Sequence, residues 1–205
     1  MLYITIARGK AVLSAACRAL VLSGLLAGCA AAPVIVNPPA GDERAALSAA
    51  MASNVRSLGA NGDWLVIRGY HATDNLVATL TNKPFSHAAV LDIDRDRVIE
   101  AEAQGVHESS LAAFVAKAHR LLLIRPVWAG AESSAAALAK ARALVGRPYD
   151  FLGLIGLDVP DSFYCSELTL EVYRPFIRSG DVVPRPVEPG QLYYWGRVLY
   201  DSGAL

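Results

Sequence analysis

The run Arg120-Leu121-Leu122-Leu123-Ile124-Arg125, closed by Pro126, constrains the fold more than any other stretch of the chain. It is a continuous apolar segment of strand length, and such a segment belongs in the interior of a sheet. The neighbouring stretches supply partners for it. A strand is expected at 63–68, behind the turn Asn61-Gly62, and the segments 86–93 and 97–103 flank the polar turn Asp94-Arg95-Asp96 as a β-hairpin.

Helices are expected between and around these strands. Residues 43–58 are alanine-rich and free of Gly and Pro, with Gly59 as the stop. Ser109 or Ser110 caps a short helix in which Leu111, Phe114, Val115 and Ala118 recur at helical spacing. A helix over 132–145 is closed by Gly146, and another, capped by Asp161 or Ser162, must stop near Arg174 because Pro175 comes next. A Pro-punctuated tail containing Tyr193-Tyr194-Trp195 leads to a last strand. The order predicts an α+β fold, an antiparallel sheet packed with helices, formed by a single domain over 43–205.

The start of the chain carries a different kind of signal. Arg8, Lys10 and Arg18 precede the apolar run 19–26, which is too short to span a bilayer and has the length of a signal-peptide core. It ends in Leu26-Ala27-Gly28-Cys29, which resembles a bacterial lipobox, so residues 1–28 are expected to be a signal peptide and Cys29 the site of lipidation. Several acyl chains on Cys29 would give durable anchoring. Residues 29–42, with Pro33, Pro38 and Pro39, read as an extended tether. Ala at position 30, rather than Asp, leans towards the outer membrane, with the domain facing the periplasm. Acidic and basic residues balance at nineteen each, and no nucleic-acid motif is present, so nucleic acid is not an expected partner.

The chain has three cysteines, and Cys17 and Cys29 both fall in the N-terminal segment. Cys165 is then the one free thiol of the mature domain. A cap at Asp161 or Ser162 puts it in the first turn of its helix, where unpaired backbone N–H groups favour a thiolate. A nucleophilic thiolate needs a proton acceptor and a group that orients the acceptor. His87 opens one strand of the hairpin and Glu100 lies in the other, so the two can share a face; strict alternation puts Glu102 on that face as well, and the residues alone do not choose between the two carboxylates. His71, His107 and His119 lack the spacing of metal ligands and read as surface or loop residues; no metal or cofactor is expected. Glu167 reads as a capping partner near the helix N-terminus. The apolar, glycine-broken stretch 151–157 reads as core or as the wall of a substrate groove.

Four stretches together carry a resemblance: Ser86-His87-Ala88-Ala89-Val90, Val98-Ile99-Glu100-Ala101, Gly146-Arg147-Pro148-Tyr149-Asp150 and Tyr164-Cys165-Ser166-Glu167-Leu168. They resemble the circularly permuted papain-like amidases of the NlpC-type superfamily, in particular the YiiX/YebB-like branch, in which His comes first, the polar residue second and Cys last. The resemblance covers about residues 62–192, and Gly62-Asp63 also fits a pattern common in these domains. It implies a permuted papain-like fold with Cys165 as nucleophile, His87 as general base and Glu100 as the residue that orients the imidazole. Ala103-Gln104-Gly105 is one residue longer than the family spacing, which keeps Glu102 as the alternate third member. Tyr164, Ser166, Ser86 and Tyr149, which flank these positions, are the candidate substrate-binding residues.

The expected activity is that of an envelope-anchored cysteine amidase or peptidase, acting through a thioester on cell-wall peptide amides. The alternatives are a hydrolase or acyltransferase acting on lipid acyl amides or esters, and a non-catalytic lipoprotein that uses the cleft for binding.

Overall fold

The computed structural model describes residues 35–203, so Cys17, the lipobox motif and Cys29 lie outside the described residues. Helix α1 (Gly41–Leu58) comes first, followed by strand β1 (Trp64–Gly69) and helix α2 (Ala72–Thr81). Strands β2 (His87–Asp92), β3 (Arg97–Glu102) and β4 (Gly105–Ser110) lead into helix α3 (Leu111–Ala116) and strand β5 (Ala118–Pro126). Helix α4 (Ala131–Ala143), helix α5 (Cys165–Glu171) and strand β6 (Gly196–Asp201) complete the domain. The strands form one six-stranded sheet in the order β4-β3-β2-β1-β5-β6, antiparallel throughout. This is the expected α+β architecture, and the apolar run of β5 lies between β1 and β6.

Both faces of the sheet are covered, which explains the continuous apolar runs 64–67, 88–91 and 121–124 in its inner strands. On one face Leu65, Ile67, Leu121 and Leu123 pack under α1 and α3, with Val55 and Phe114 among the buried contacts. On the other, Trp64, Val66, Leu122 and Ile124 pack against α4 and α5 through Leu138 and Leu168. Trp64 stacks edge-on against Trp128 and Tyr173 in that layer. Asp63, buried at the entrance to β1, accepts two hydrogen bonds from the Arg125 guanidinium, at 3.0 and 2.8 Å, and one from the Ala60 N–H at 2.8 Å. A buried carboxylate with three donors is satisfied, and here it fastens β1 to β5.

Several elements differ from the sequence expectation. Helix α2, capped at His71, occupies a segment for which no element was expected. The polar stretch Val106-His107-Glu108-Ser109 is an edge strand, with Ser110 as the cap of α3: its hydroxyl accepts from the Ala113 N–H at 3.1 Å. Helix α5 starts at Cys165 with Tyr164 as its N-cap residue, not at Asp161 or Ser162. The reason is local. Asp161 has a left-handed backbone (φ 60°), the Ser162 N–H closes a turn onto Val159 O, and the Phe163 N–H donates to Pro148 O at 3.1 Å, so the chain is committed elsewhere until residue 164. The helix also ends at Glu171, and Pro175 lies in a separate 3₁₀ turn, Arg174–Phe176.

Edge strand β4 is joined to the segment that leads to the site. The Val106 N–H donates to Arg147 O and the Gly146 N–H to Val106 O, both at 2.8 Å. Gly105 makes this approach possible: its φ is +102°, and a Cβ there would stand 2.5 Å from Arg147 O. Gly105→Ala is expected to destabilise the domain by about 2 kcal/mol or more through combined strain and overlap. Gly180→Ala, where a Cβ meets open space, is expected to stay within about 0.5 kcal/mol of the parent, with both variants measured by urea unfolding.

Candidate active site

Cys165, His87 and Glu100 converge where the first turn of α5 meets β2 and β3. The register pairs Ala89 with Glu100, so His87 meets the Glu100 carboxylate on a same-face diagonal between the two strands. His87 Nε2 lies 2.6 Å from Glu100 Oε2. Glu102, next along the same face, stands farther off, with its Oε1 3.9 Å from Nε2. Cys165, at the first residue of α5, is near enough to the His87 ring for its sulfur to favour the charged imidazole. A carboxylate can only accept, so Nε2 carries the hydrogen of the Glu100 bond, and Nδ1 is the ring nitrogen left for the thiol. Cys165 and His87 are buried but not sealed, at 6% and 8% exposure, whereas Glu100 is fully buried.

Burial opposes a charged imidazole, but hydrogen bonds and attraction from Cys165 and Glu100 outweigh it and raise His87 from 6.5 to about 10. Burial likewise opposes a charged Glu100, and its bond to His87 and the nearby Lys117 ammonium overcome this and hold the carboxyl well below the usual range. The arrangement therefore favours an imidazolium flanked by a carboxylate and a thiol sulfur, with a fixed path for one proton between sulfur and Nδ1.

Lys117 is a member of the site that the sequence reading missed. It comes directly after α3 as the C-cap residue, and its Nζ donates to Glu100 Oε2 and to Glu102 Oε1, both at 2.6 Å. The ammonium stands 5.1 Å from the centre of the Phe114 ring, and the same ring packs against His87 at 5.9 Å between centroids. Lys117 itself is raised: burial disfavours its charge, but Glu100 and Glu102 outweigh that. His107 is placed in β4 directly opposite Glu100, with its Nε2 3.6 Å from Glu100 Oε1 and 3.5 Å from Glu102 Oε2, so it belongs to this cluster and is not a loop residue. Among the described residues, two groups have the donor atoms for a metal ion: His87, Glu100 and Glu102, and Asp150, Asp158 and Glu167. Each already has a cation beside it. Lys117 serves the first, and Arg185, 2.7 Å from Asp158 and 3.7 Å from Glu167, serves the second.

Three of the four candidate substrate-binding side chains are engaged in internal hydrogen bonds. The Ser86 hydroxyl donates to Asp74 Oδ1 at 2.7 Å and accepts from the Gly69 N–H at 3.0 Å. The Ser166 hydroxyl donates to Val187 O at 2.6 Å, and the Tyr164 hydroxyl accepts from the Val187 N–H at 2.9 Å. All three residues are buried. Tyr149 packs edge-on against Phe151, and burial, then the charges of Cys165 and other neighbours, push its phenol well above its ordinary value. Glu167 accepts a long hydrogen bond of 3.5 Å from the Tyr164 N–H, in line with its expected capping place, and burial raises it to about 7.

The model of the family described as permuted papain-like amidase enzyme, YaeF/YiiX, C92 family, matches residues 60–182. Among solved structures, the chain is similar to the crystal structure of metalloprotein yiiX from Escherichia coli O157:H7, with 23% identity over 59% of this chain and 69% of that chain and a TM-score of 0.48. No curated protein matches the sequence.

The charge cluster yields a prediction. Lys117→Met leaves Glu100 and Glu102 facing each other without their cation and should cost about 3 kcal/mol at pH 7, measured by urea unfolding. Both carboxyls are lowered in the folded state, so the stability that depends on their charged forms is present above their unfolded value of about 4.5 and is lost as the pH falls through the folded values. The gap between parent and variant should therefore be full at pH 7 and should narrow below about pH 4.5.

Proposed function

Because the chain belongs to the permuted papain-like amidase family, YaeF/YiiX, C92, we propose that this cysteine hydrolase works through a Cys165–His87–Glu100 triad, anchored in the bacterial envelope by a lipid on Cys29, and cleaves peptide amide bonds of the cell wall. One observation carries the reading: His87 Nε2 is held by the Glu100 carboxylate at 2.6 Å, which leaves Nδ1 for the neighbouring Cys165 thiol.

The chemistry is set by those contacts. Neutral His87 takes the thiol proton at Nδ1 to give the thiolate–imidazolium pair that the site favours, and the thiolate attacks the scissile carbonyl carbon to form a tetrahedral oxyanion, held in part by the Cys165 backbone N–H. As the carbon–nitrogen bond breaks, the imidazolium returns the proton to the leaving amine, and a thioester remains on Cys165. Water, deprotonated by His87, then attacks the thioester carbonyl and frees the acid and the thiol. Glu100 keeps the ring in the tautomer this sequence needs, and Lys117 holds Glu100 anionic. A second reading, an acyl lipid as substrate, is favoured by one feature: the segment 151–157, which leads from Tyr149 towards the nucleophile, exposes a row of large apolar side chains.

Iodoacetamide labelling of the Cys165 peptide, followed by mass spectrometry in the full chain, tests the triad without a known substrate. The labelling rate at pH 7 should fall about 100-fold in His87→Ala, less in Glu100→Gln, and least in Glu102→Ala. A parent rate that climbs through about pH 8–9 like that of a simple exposed thiol, untouched by His87→Ala, would sink the mechanism. A larger loss in Glu102→Ala than in Glu100→Gln would transfer the orienting role to Glu102.

The anchor is tested separately. Cys29→Ala should release the protein from membranes or leave it unprocessed. Unchanged mature mass and unchanged membrane pelleting in that variant would remove lipidation from the proposal.

A further inference from the structure

We propose that the loop 151–157, at the mouth of the Cys165 site, is a preformed insertion element that seats in the surface of a lipid bilayer. Five of its seven residues are large and apolar, and all five point outward: Phe151, Leu152, Leu154, Ile155 and Leu157 are 59%, 50%, 46%, 72% and 58% exposed. The other two are Gly153 and Gly156, so the stretch has neither a charge nor a polar side chain. An exposed apolar patch of this density on a domain with a complete core marks a contact surface.

The loop is held in this shape by the fold. Asp150, 1% exposed, accepts from the Gly153 N–H at 2.7 Å through one carboxylate oxygen and from the Val159 N–H at 3.1 Å through the other, clamping both ends of the loop. A 3₁₀ turn, Gly153–Ile155, forms between the clamped ends. Gly153 has no room for a side chain: a Cβ would stand 2.5 Å from Asp150 Oδ2 and 2.9 Å from Tyr164 Cδ1. Such a loop presents its apolar chains at little further cost in conformational entropy.

Its chemistry fits lipid better than protein. Protein interfaces mix apolar anchors with Tyr, Trp and Arg and match hydrogen bonds across the contact, whereas this loop offers aliphatic chains and one Phe with no polar side chain to pair. Hydrocarbon asks only for apolar area, and interfacial anchors use Leu and Phe in this way. Position supports the same occupant. Tyr149 precedes the clamp and packs edge-on against Phe151, and Gly153 lies against the ring of Tyr164, the residue before Cys165, so a seated loop would bring the start of α5 towards the bilayer face. The lipobox motif at Cys29 indicates that a bilayer is at hand. The inference rests on the envelope reading for that point alone.

The test uses the full chain carrying Ile155→Trp, mixed with phosphatidylethanolamine–phosphatidylglycerol vesicles with or without acyl-brominated lipid, and the emission of the parent chain, with its three tryptophans, is subtracted. Val182→Trp, at another exposed loop position, is the control. Brominated acyl chains should quench at least about half of the added emission in the Ile155→Trp chain and leave that of the Val182→Trp chain unchanged. Emission from the indole introduced by Ile155→Trp that stays unquenched and open to acrylamide overturns the proposal. Emission shielded from acrylamide without quenching by lipid also overturns it, and would assign the loop to contact with a second copy of the chain. Labelling of Cys165 in the same samples separates the two readings. An unquenched Ile155→Trp chain with His87-dependent labelling intact removes the loop and leaves the triad, and the reverse result removes the triad and leaves the loop.

Discussion

A carboxylate with no solvent exposure, Glu100, sits at the junction of two strands and a helix, and the surroundings are arranged so that it can stay ionised there. One of its oxygens receives both His87 Nε2 and Lys117 Nζ, each at 2.6 Å, while the other has no hydrogen bond and faces His107. Taking such a charge out of water costs several kcal/mol unless it is paired, so the site exists only where β2, β3 and the end of α3 meet in this register. A slip of one residue between β2 and β3 would turn Glu100 to the opposite face, away from His87, and leave Lys117 without partners.

Lys117 and His87 compete for the same Glu100 oxygen, and that competition shapes the chemistry. With His87 alone, the carboxylate and imidazole could share the proton; with an ammonium fixed 2.6 Å away, the proton stays on Nε2. The ring can then exchange a proton only through Nδ1, towards Cys165. Glu102 completes the balance: the Lys117 ammonium faces two carboxylates when His87 is neutral, and two cations face two carboxylates when His87 is charged. The cluster can thus hold the imidazolium without accumulating net positive charge in a poorly solvated corner.

The sheet was readable from the sequence where apolar runs or alternation were strong, as in β1, β2, β3 and β5, because those patterns reflect directly which faces are covered. Edge strand β4 was not readable: its residues 107–110 are half exposed and polar, and only pairing with β3 makes them a strand. Helix α2 was missed because its burial is confined to scattered contacts. Cys165, His87 and Glu100 were singled out through their types and chain order, while the closer approach of Glu100 than of Glu102 to His87 depends on the diagonal geometry of a hairpin register. Lys117 carried no local signal at all, since its partners lie fifteen and seventeen residues earlier in the chain. The early helix start at Asp161 or Ser162 failed for a related reason: the Phe163 N–H is taken by Pro148, a contact that spacing does not reveal.

That Pro148–Phe163 contact also explains how two unlike features come to be neighbours. The segment between these residues leaves and returns at one point of the fold, and Asp150 closes it internally through its bonds to Gly153 and Val159. Residues 151–157, inside the closure, are pushed outward. Tyr164 and Cys165, just beyond it, are pulled inward, with the Tyr164 ring lying against Gly153 and its hydroxyl held by Val187. Cys165 and the apolar loop therefore share one support. A change in Asp150 would act on both, loosening the loop and shifting the start of α5. A change at the loop tip, such as Ile155, would leave the support in place, so surface contact and thiol chemistry can be separated by mutation although the fold builds them together.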